Sequence, residues 1–344
     1  MLLTTTGGYA GRDSGYNILM DKSAKIKIAV LRGGPSNEYE VSLKTGSHIL
    51  SLLRNKPEKF EPLDIFISKD GEWHYGGVVH EPHQALKETD VVWNALHGAY
   101  GEDGKVQRIL ETLGVPFTGS DAITSARAMD KEMSKRLYGR HNLLTPQHEL
   151  ITEDNFTDDN LINIFRTYLH PVIVKPVDGG SSLGVSLAHT FSDLSEAIKH
   201  SLEFSKRVMV EEFIKGKEAT CGVLDNFRGE RVYALMPVEI RKRNHFFNYD
   251  DKYSGEIEEI CPGNFKLEES QALGELAKKA HDVLGLRHYS RSDFIITPSG
   301  KIYILETNSL PGFTEESLMP KSLQAIGCSP DHFVEHVVNL ALDR

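Results

Sequence analysis

The sequence predicts an α/β fold for the first part of the chain and an α+β fold for the remainder. Between Lys25 and Gly114, short apolar runs alternate with amphipathic segments, the pattern of a parallel sheet with helices on both faces. Beyond residue 206, strand-like runs follow one another, so hairpin-type pairing is expected there. The chain has 344 residues, more than a single hydrophobic core usually supports, and we expect more than one domain.

The first part contains three predicted strands and two predicted helices. KIKIAVL at residues 25–31 is a β-rich run, and the apolar spacing from Val41 to Leu53 predicts a helix. EPLDIFI and VVWNAL predict two more strands, and KVQRILETL predicts a helix that ends at Gly114. Two glycine-rich loops, RGGPSNE and HGAYGEDG, follow strands of this unit. Open α/β sheets bind ligands at the edge formed by the carboxyl ends of the strands, where these loops begin, so we expect a ligand site there.

The later elements predict two further units. The segment SDAITSARAMDKEMSKRLYG is helical, and PVIVK and VMVEEF are strands that flank a helix near residues 191–201. EATCGVL and RVYALMPVEI predict long strands, a helix follows at residues 268–284, and SDFIIT and KIYILET predict a last pair of strands. We therefore predict an N-terminal extension without regular structure and three domains, at residues 1–24, 25–118, 119–205 and 206–344.

Composition narrows the classes of function. A formal net charge of −10 gives no sign of a basic surface, so we predict no nucleic-acid partner. No apolar run approaches the roughly 18 residues that span a bilayer, so we predict no membrane partner. The first residues lack the layout of a secretory signal. The three cysteines lack the spacing of a zinc site or a disulfide framework, which favours a cytoplasmic protein; they are Cys221, Cys261 and Cys328.

The stretch KPVDGGSSLG, residues 175–184, is suited to binding phosphate. The strand PVIVK delivers Lys175 into a loop whose glycines leave backbone N–H groups accessible, and the lysine adds a positive charge. The chain contains neither GxxxxGK[ST] nor a GxGxxG after a strand, which excludes a P-loop and a dinucleotide fingerprint. On this chemistry alone, a flexible surface hairpin is an equally good interpretation.

Two strands near the C terminus carry the sharper chemical signal. If residues 299–300 form a two-residue turn, Asp293 lies opposite Glu306, and Arg291 and Asn308 share their face. Facing carboxylates repel unless a cation lies between them, and carboxylate and amide oxygens are ligands that Mg²⁺ accepts. The alternative is a solvated polar face, and another turn length would shift the register. The opposite face is expected to be apolar, with Phe294, Ile296, Ile302 and Ile304.

Three more segments are candidates for function. The loop at residues 241–262, which contains FFNYDDKYSGEIEEICP, has the length and the aromatic content of a lid, although an ordinary surface loop explains it equally well. His97 ends a predicted strand beside glycines, where it either contacts substrate or is structural. Gly312 follows a proline and offers a backbone N–H that could stabilise an oxyanion, unless it is a plain turn.

The order of these motifs resembles the D-alanine–D-alanine ligases of the ATP-grasp superfamily. The matching stretches extend from about residue 25 to the C terminus: GGPSNEYEVSL, ALHGAYGEDGKVQ, PFTGS, MDKEMSK, PVIVKPVDGGSSLG, VEEFIKGKE, NYDDKYS, RSDFII and ETNSLPGFTEESLMP. The resemblance implies a three-domain ATP-grasp fold with an N-terminal parallel-sheet domain. It also implies ATP-dependent ligation of two D-alanine molecules, through a D-alanyl phosphate, for peptidoglycan precursor synthesis. Two Mg²⁺ or Mn²⁺ ions and a homodimer are further implications.

The same resemblance assigns ATP and metal roles to individual residues. Those expected to bind ATP are Lys131, Lys175, Ser182, Glu211, Phe213, Ile214, Glu218 and Lys252. Those expected to bind the two metal ions are Asp293, Glu306 and Asn308.

Catalytic and substrate roles follow from the resemblance in the same way. Glu38 is expected to bind the ammonium of the first D-alanine, and Ser181 and Tyr253 to hydrogen-bond with it. Arg291 and the Gly312 N–H are expected to stabilise the tetrahedral intermediate. The residues expected to contact the first and second substrates are His97 and Glu102, and Ser317 and Leu318, respectively.

One departure from the family pattern bears on the second substrate. Glu315 and Glu316 add negative charge where the second carboxylate is expected, which would weaken binding unless both side chains point away. Ligation of D-alanine to D-lactate or to D-serine is an alternative, although the Lys252–Tyr253 pair resembles the dipeptide-forming enzymes. A ligase acting on another amino acid and a non-catalytic ATP-binding module are further alternatives.

Overall fold

The computed structural model describes residues 25–242 and 257–343, which build three β-sheets. The first sheet has the strand order β4-β3-β2-β1-β5. Its strands are β1 (Ile26–Gly33), β2 (Phe60–Ile67), β3 (Trp73–Tyr75), β4 (Val78–His80) and β5 (Val91–Asn94). β1 pairs in parallel with β2 and β5, and the hairpin of β3 and β4 extends the sheet by antiparallel pairing.

Helices cover both faces of the first sheet, as its alternating pattern predicts. They are α1 (Tyr39–Arg54), α2 (Pro82–Ala85) and α3 (Lys105–Leu113). Ile28 and Val30 pack in one cluster with residues of α1, whereas Ala29 and Leu31 pack in another with residues of α3. A central parallel strand buries side chains on both faces, which explains the continuous apolar run.

The second sheet has four antiparallel strands in the order β6-β9-β7-β8. They are β6 (His148–Thr152), β7 (Val172–Pro176), β8 (Ser186–Ala188) and β9 (Arg207–Glu212). One hydrophobic cluster joins this sheet to α6 (Asp158–Thr167) and α7 (Phe191–Leu202). β9 lies beyond residue 205 yet completes this sheet; the division into three domains stays a prediction.

The third sheet lies across from the second, and the space between them, which Lys131 bridges, is called the cleft. Among the described residues it has six strands in the order β13-β12-β10-β14-β15, with β11 paired to β10. They are β10 (Lys217–Phe227), β11 (Glu230–Ala234), β12 (Val238–Lys242), β13 (Ile257–Ile260), β14 (Tyr289–Ile296) and β15 (Ile302–Asn308). The run RVYALMPVEI, expected as one long strand, is divided between β11 and β12. Residues 213–216 cross directly from β9 of the second sheet to β10 of the third.

The remaining helices pack against the third sheet and the first. They are α8 (Leu267–Leu284), α9 (Leu318–Ala325) and α10 (Pro330–Leu342). α8 packs on the sheet through Leu273, Ala277 and Leu284. Residues of α9 and α10 share one hydrophobic cluster with α1 and β1, which joins the first and the last of the described elements. No helix among the described residues is both long enough and apolar enough to cross a membrane.

The helical segment predicted at residues 120–139 consists of two helices, α4 (Ala122–Met129) and α5 (Lys131–Arg140). Asp130 separates them in an extended conformation, and its carboxylate accepts a hydrogen bond of 2.9 Å from the Met133 N–H. A side chain that caps the free N–H groups favours a new helix start over continuation of the old one. The break makes Lys131 the first residue of α5.

The hairpin of β14 and β15 has the predicted register at its polar end, but its predicted turn is wrong. Asp293 pairs with Glu306, as expected. Thr297 and Lys301 close a three-residue turn by hydrogen bonds, with Gly300 left-handed at φ 82°, instead of the two-residue turn. A bulge next to Asp293 then restores the register. The bulge also lets two residues of β15 that are two positions apart face opposite sides of the sheet. Ile304 packs in the core, whereas Glu306 faces the cleft.

Candidate active site

A lysine bridges the second and third sheets at the cleft. Lys131 Nζ donates a hydrogen bond of 2.7 Å to the Gly179 carbonyl, in the loop between β7 and β8. The same Nζ lies 3.3 Å from Glu306 Oε2 on β15. The first residue of α5 therefore meets both the glycine- and serine-rich loop and a predicted metal ligand, as the sequence-based site requires.

Lys175 lies at the end of β7, next to a buried carboxylate. Its Nζ is 2.7 Å from Glu211 Oε2, and Lys135 Nζ is 2.6 Å from the other oxygen. Burial alone would raise the pKa of Glu211, but the charges of Lys175 and Lys135 hold it at about 2. Glu211 was predicted to bind the nucleotide directly; in the structure, both of its oxygens face lysines.

The predicted metal ligands converge on one face of the third sheet. Arg291 Nε and Nη2 lie 3.2 and 3.3 Å from the two oxygens of Asp293, and Asn308 Nδ2 lies 3.2 Å from Asp293 Oδ2. Burial favours the neutral acid at Glu306, but the nearby Lys131 and Lys175 charges outweigh it and lower its pKa. Thr220, which sequence reasoning missed, donates a hydrogen bond of 2.5 Å to Asp293 Oδ1.

This donor set suits a hard divalent cation that also binds a polyphosphate. Asp293 and Glu306 supply directly opposed carboxylates, and the Asn308 amide supplies a third oxygen. In the described part of the chain, no cluster of three His, Cys, Asp or Glu side chains could hold a metal by itself. Further oxygen ligands would therefore come from phosphate and water, as is usual for Mg²⁺.

Glu38, immediately before α1, contacts the loop between β7 and β8. The Ser181 hydroxyl donates a hydrogen bond to Glu38 Oε1, as predicted. The loop does connect two hairpin strands, as the alternative of a surface hairpin predicts. Its contacts with Glu38 and Lys131 hold it against the cleft. Ser181 and Ser182 both have left-handed backbones, at φ 51° and 58°, a conformation that serine rarely adopts.

Glycines leave room for the Glu38 carboxylate. A Cβ on Gly98 would lie 2.7 Å from Glu38 Oε2, and a Cβ on Gly180 would lie 2.8 Å from it. Gly98 also has φ +68°, which disfavours a side chain. The small residues in HGAYGEDG and KPVDGGSSLG therefore bring two backbone segments against one carboxylate.

Two predicted first-substrate residues flank this carboxylate. The Gly98 N–H donates a hydrogen bond of 2.7 Å to Glu102 Oε2. Burial, and then the charge of Glu38, raise the pKa of Glu102 to about 8, so its carboxyl group is mostly protonated at pH 7. His97 is buried, and its Nε2 lies 2.9 Å from Thr45 Oγ1. His97 thus has a structural contact, and its role toward substrate stays a prediction.

The predicted second-substrate residues follow β15. Ser317 precedes α9, and its Oγ accepts a hydrogen bond of 2.9 Å from the Thr314 N–H. A Cβ on Gly312 would lie 3.4 Å from that Oγ, so the two residues are neighbours. Leu318 is the first residue of α9 and is half-buried. Glu315 and Glu316 are both exposed, and Glu315 Oε1 lies 3.8 Å from His48 Nδ1 of α1.

The remaining predicted ATP-binding residues lie at the crossing between the two sheets. Phe213 and Ile214 belong to the connection between β9 and β10, and Glu218 lies on β10 opposite Ile240 and Ile295. All three are half-buried. The other predicted residues, Lys252 and Tyr253, lie outside the described residues, as does most of the predicted lid. Of the described part of that predicted loop, residues 241–242 belong to β12 and 257–260 to β13, so these are strand and not loop.

Sequence reasoning missed a polar stripe on α5. Lys131, Lys135 and Tyr138 recur at helical spacing, a signal that could have revealed the stripe. The Tyr138 hydroxyl donates a hydrogen bond of 2.8 Å to Thr307 Oγ1, between the two ligand positions of β15. One buried helix face thus contacts the loop, the Glu211 carboxylate and the metal-ligand strand.

Comparison with known proteins agrees with this geometry. A family model described as D-ala D-ala ligase C-terminus matches residues 137–339, and one described as D-ala D-ala ligase N-terminus matches residues 27–88 and 77–120. The chain belongs to the D-alanine–D-alanine ligase family. The ligase therefore has the ATP-grasp fold that its motifs predict, and it uses ATP and a divalent metal ion.

Individual relatives of the ligase match along most of their length. The D-alanine–D-alanine ligase of Desulfotalea psychrophila is 37% identical over 330 residues, covering 94% of this chain and 97% of the relative. That of Geobacter sulfurreducens is 35% identical over 321 residues, covering 92% and 95%.

Solved structures match as well. The VanG D-Ala:D-Ser ligase from Enterococcus faecalis has a TM-score of 0.81 at 29% identity, covering 92% of this chain and 100% of the neighbour. The D-alanine–D-alanine ligase from Coxiella burnetii has a TM-score of 0.79 at 25% identity, covering 93% and 94%.

Proposed function

We propose that this ligase uses ATP to convert one D-alanine to D-alanyl phosphate, and then joins it to the amine of a second D-alanine. The product, D-alanyl-D-alanine, is a peptidoglycan precursor. The observation that carries the proposal is the convergence of Lys131, Lys175 and Glu306 at one end of the cleft, with Glu38 held by the loop that also receives Lys131.

The first step needs positive charge around ATP. The carboxylate oxygen of D-alanine attacks the γ-phosphorus, and the bond to ADP breaks. Lys131 and Lys175 are suited to hold the phosphates, and residues 213–214 with Glu218 to hold the nucleoside at the sheet crossing. The cations are already in position before the reaction, so little reorganisation is needed as charge moves.

The acidic face of β14 and β15 is the proposed site for divalent metal, Mg²⁺ or Mn²⁺, with two ions expected. Asp293, Glu306 and Asn308 supply its protein oxygens, and the lowered pKa of Glu306 keeps that carboxylate ionised. When bound, the metal supplies Lewis-acid neutralisation of the phosphate charge.

Glu38 is the proposed partner of the first substrate's ammonium group. Ser181 orients one oxygen of Glu38. The neutral Glu102 beside it leaves a single negative charge in the pocket at pH 7. A single carboxylate held against glycine backbones is suited to pair with the ammonium group of an amino acid.

The second step develops negative charge on a carbonyl oxygen. The free amine of the second D-alanine attacks the carbonyl carbon, a tetrahedral intermediate forms, and phosphate leaves. Arg291 and the Gly312 N–H are the proposed donors to that oxygen. Burial favours the neutral form of Arg291, but Asp293 outweighs this and raises the pKa, so Arg291 stays charged. Ser317 and Leu318 are proposed to receive the second carboxylate.

Water would hydrolyse the acyl phosphate, so the cleft must close during the reaction. We propose residues 178–184 as one cover, because this loop already joins Glu38 to the cleft wall. Residues 241–262, with Lys252 and Tyr253, are proposed as the second cover.

Product identity tests this function. The enzyme is given ATP with D-alanine alone and with D-alanine plus D-serine or D-lactate, while phosphate release and product mass are measured. D-alanyl-D-alanine as the main product at neutral pH is the expected result. D-serine deserves a separate arm because a D-Ala:D-Ser ligase is among the structural neighbours. Phosphate release that does not depend on a D-amino acid would refute ligation.

A homodimer is proposed from the family resemblance alone. Light scattering coupled to size-exclusion chromatography tests it, and a mass near 38.5 kDa would contradict it.

A further inference from the structure

A buried ion triad lies beside the proposed phosphate site. Lys135 of α5, Glu211 of β9 and Lys175 of β7 form it. The glutamate lies between the lysines, with distances of 2.6 Å to Lys135 Nζ and 2.7 Å to Lys175 Nζ. The proposed chemistry assigns a role to Lys175 but leaves Glu211 and Lys135 without one.

The two lysines differ in what else they can bind. The Lys135 side chain is 0% exposed, and its Nζ also donates to Thr145 Oγ1 at 2.9 Å and to the Pro146 carbonyl at 3.0 Å. Its three protons are therefore engaged inside the protein. The Lys175 side chain is 10% exposed and stands at the base of the glycine- and serine-rich loop. Of the two lysines in the triad, Lys175 borders the cleft and Lys135 does not.

The charges of the triad do not cancel. Glu211 is ionised, with a pKa of about 2. Burial lowers the pKa of Lys135 to about 8 against the opposing pull of Glu211, so Lys135 remains mostly protonated at pH 7. The triad thus has a net charge of +1, and Glu211 is shared between two ammonium groups. The positive charge that remains lies on the side of the cleft.

We propose that Lys135 is a positioning residue for ATP: it holds Glu211 and offsets its charge, so that the carboxylate orients Lys175 without neutralising it. This inference rests on the proposed phosphate-binding role of Lys175. Without Lys135, Glu211 and Lys175 form a neutral pair. Lys175 then has to leave an uncompensated buried carboxylate in order to reach phosphate, which costs affinity.

The test measures equilibrium binding of ATP and of AMP, both with Mg²⁺ at pH 7, by calorimetric titration. The variants are Lys135→Met, Glu211→Gln, the double variant and Lys175→Met. Removal of one net positive charge near the β- and γ-phosphates should weaken ATP binding by about 10-fold or more while AMP changes little. The ratio of ATP affinity to AMP affinity therefore reports the charge effect, and it excludes a general collapse of the nucleotide pocket.

The expected result is a ratio about 10-fold lower in Lys135→Met and restored toward the wild-type value in the double variant, whose triad again has a charge of +1. Equal weakening of ATP and AMP by Lys135→Met would overturn the proposal, because it would show a merely structural role. An unchanged ratio would also overturn it. If Lys135→Met does not fold, the double variant is compared with the wild type: both triads have a charge of +1, so a similar ratio is expected, and a 10-fold fall would overturn the proposal.

A matched control lies outside the cleft. Glu335 of α10 bridges Lys56 and Lys59 with two contacts of 2.6 Å, a triad of the same composition. Lys56→Met should leave the ratio of ATP affinity to AMP affinity unchanged.

Lys175→Met distinguishes failure of the proposed phosphate role of Lys175 from failure of the positioning role of Lys135. If it leaves the ratio unchanged, the phosphate role of Lys175 fails; if it lowers the ratio and Lys135→Met does not, only the positioning role of Lys135 fails.

Discussion

Replacing Gly98 with alanine tests how closely the first-substrate site is packed. The new Cβ would lie 2.6 Å from Ser36 Oγ and 2.7 Å from Glu38 Oε2, well inside the 3.4 Å of an ordinary contact. Relief requires the Glu38 carboxylate to move by about 0.7 Å, and misplacement of a binding group by about 1 Å can cost 10²-fold in rate. We expect the KM for D-alanine at the first site to rise about 10- to 100-fold, with a nearly unchanged KM for ATP.

The assay is coupled ADP release with each substrate varied in turn, supported by thermal unfolding. Alanine in a left-handed conformation costs about 1–2 kcal/mol of stability in any case, so a control must share that cost. Gly76, in the turn between β3 and β4, has φ +59° and no atom within 4 Å of a built Cβ. Gly76→Ala shares the backbone cost but not the clash, so it should lower stability by about 1–2 kcal/mol and leave both KM values intact. A Gly98→Ala enzyme with wild-type KM for D-alanine would refute the assignment of Glu38 to the substrate ammonium.

Three further predictions concern the charges of the cleft. Glu306→Gln should reduce kcat by about 10²-fold or more without unfolding the protein, since it removes a proposed metal ligand; near-normal turnover would contradict that role. Arg291→Ala should reduce kcat by about 10²- to 10³-fold in the same assay, and restoration by added guanidinium would locate the loss at the missing cation. Glu102→Gln should keep near wild-type activity at pH 7, because the pKa of Glu102 is raised to about 8 and the native side chain is already neutral there. Between pH 4.5 and 8 the native state holds a proton that the unfolded state releases, so the stability contributed by Glu102 falls as pH rises through that range. In a pH series of thermal unfolding, the variant should lack that fall. A fall that persists in the variant would contradict the assignment.

Much of the molecule was predictable because its signals are local. The parallel first sheet followed from apolar runs that alternate with amphipathic helices. The pairing of Asp293 with Glu306 was also predicted, although from a two-residue turn that does not form; a bulge compensates for the longer turn. The family motifs predicted Lys131 and Lys175, which both lie at the cleft. In each of these cases a few neighbouring residues carry the whole pattern.

Other features depend on balances that local patterns do not express. The same short stretch can form a two- or a three-residue turn, and the bulge that corrects the register becomes favourable only when Ile304 has a core and Glu306 has a cleft to face. The break at Asp130 likewise depends on a cap and on an ion pair with Arg207, 77 residues away.

The sequence by itself determined the family, the order of the elements and the residue types that the chemistry needs, because these are written in short motifs. Only the tertiary structure decided how charges from distant strands and helices are shared. The family motif predicts that Glu211 binds the nucleotide, yet its partners in the structure are two lysines from other elements. Electrostatic energy depends on distance and burial in three dimensions, and neither can be read along the chain.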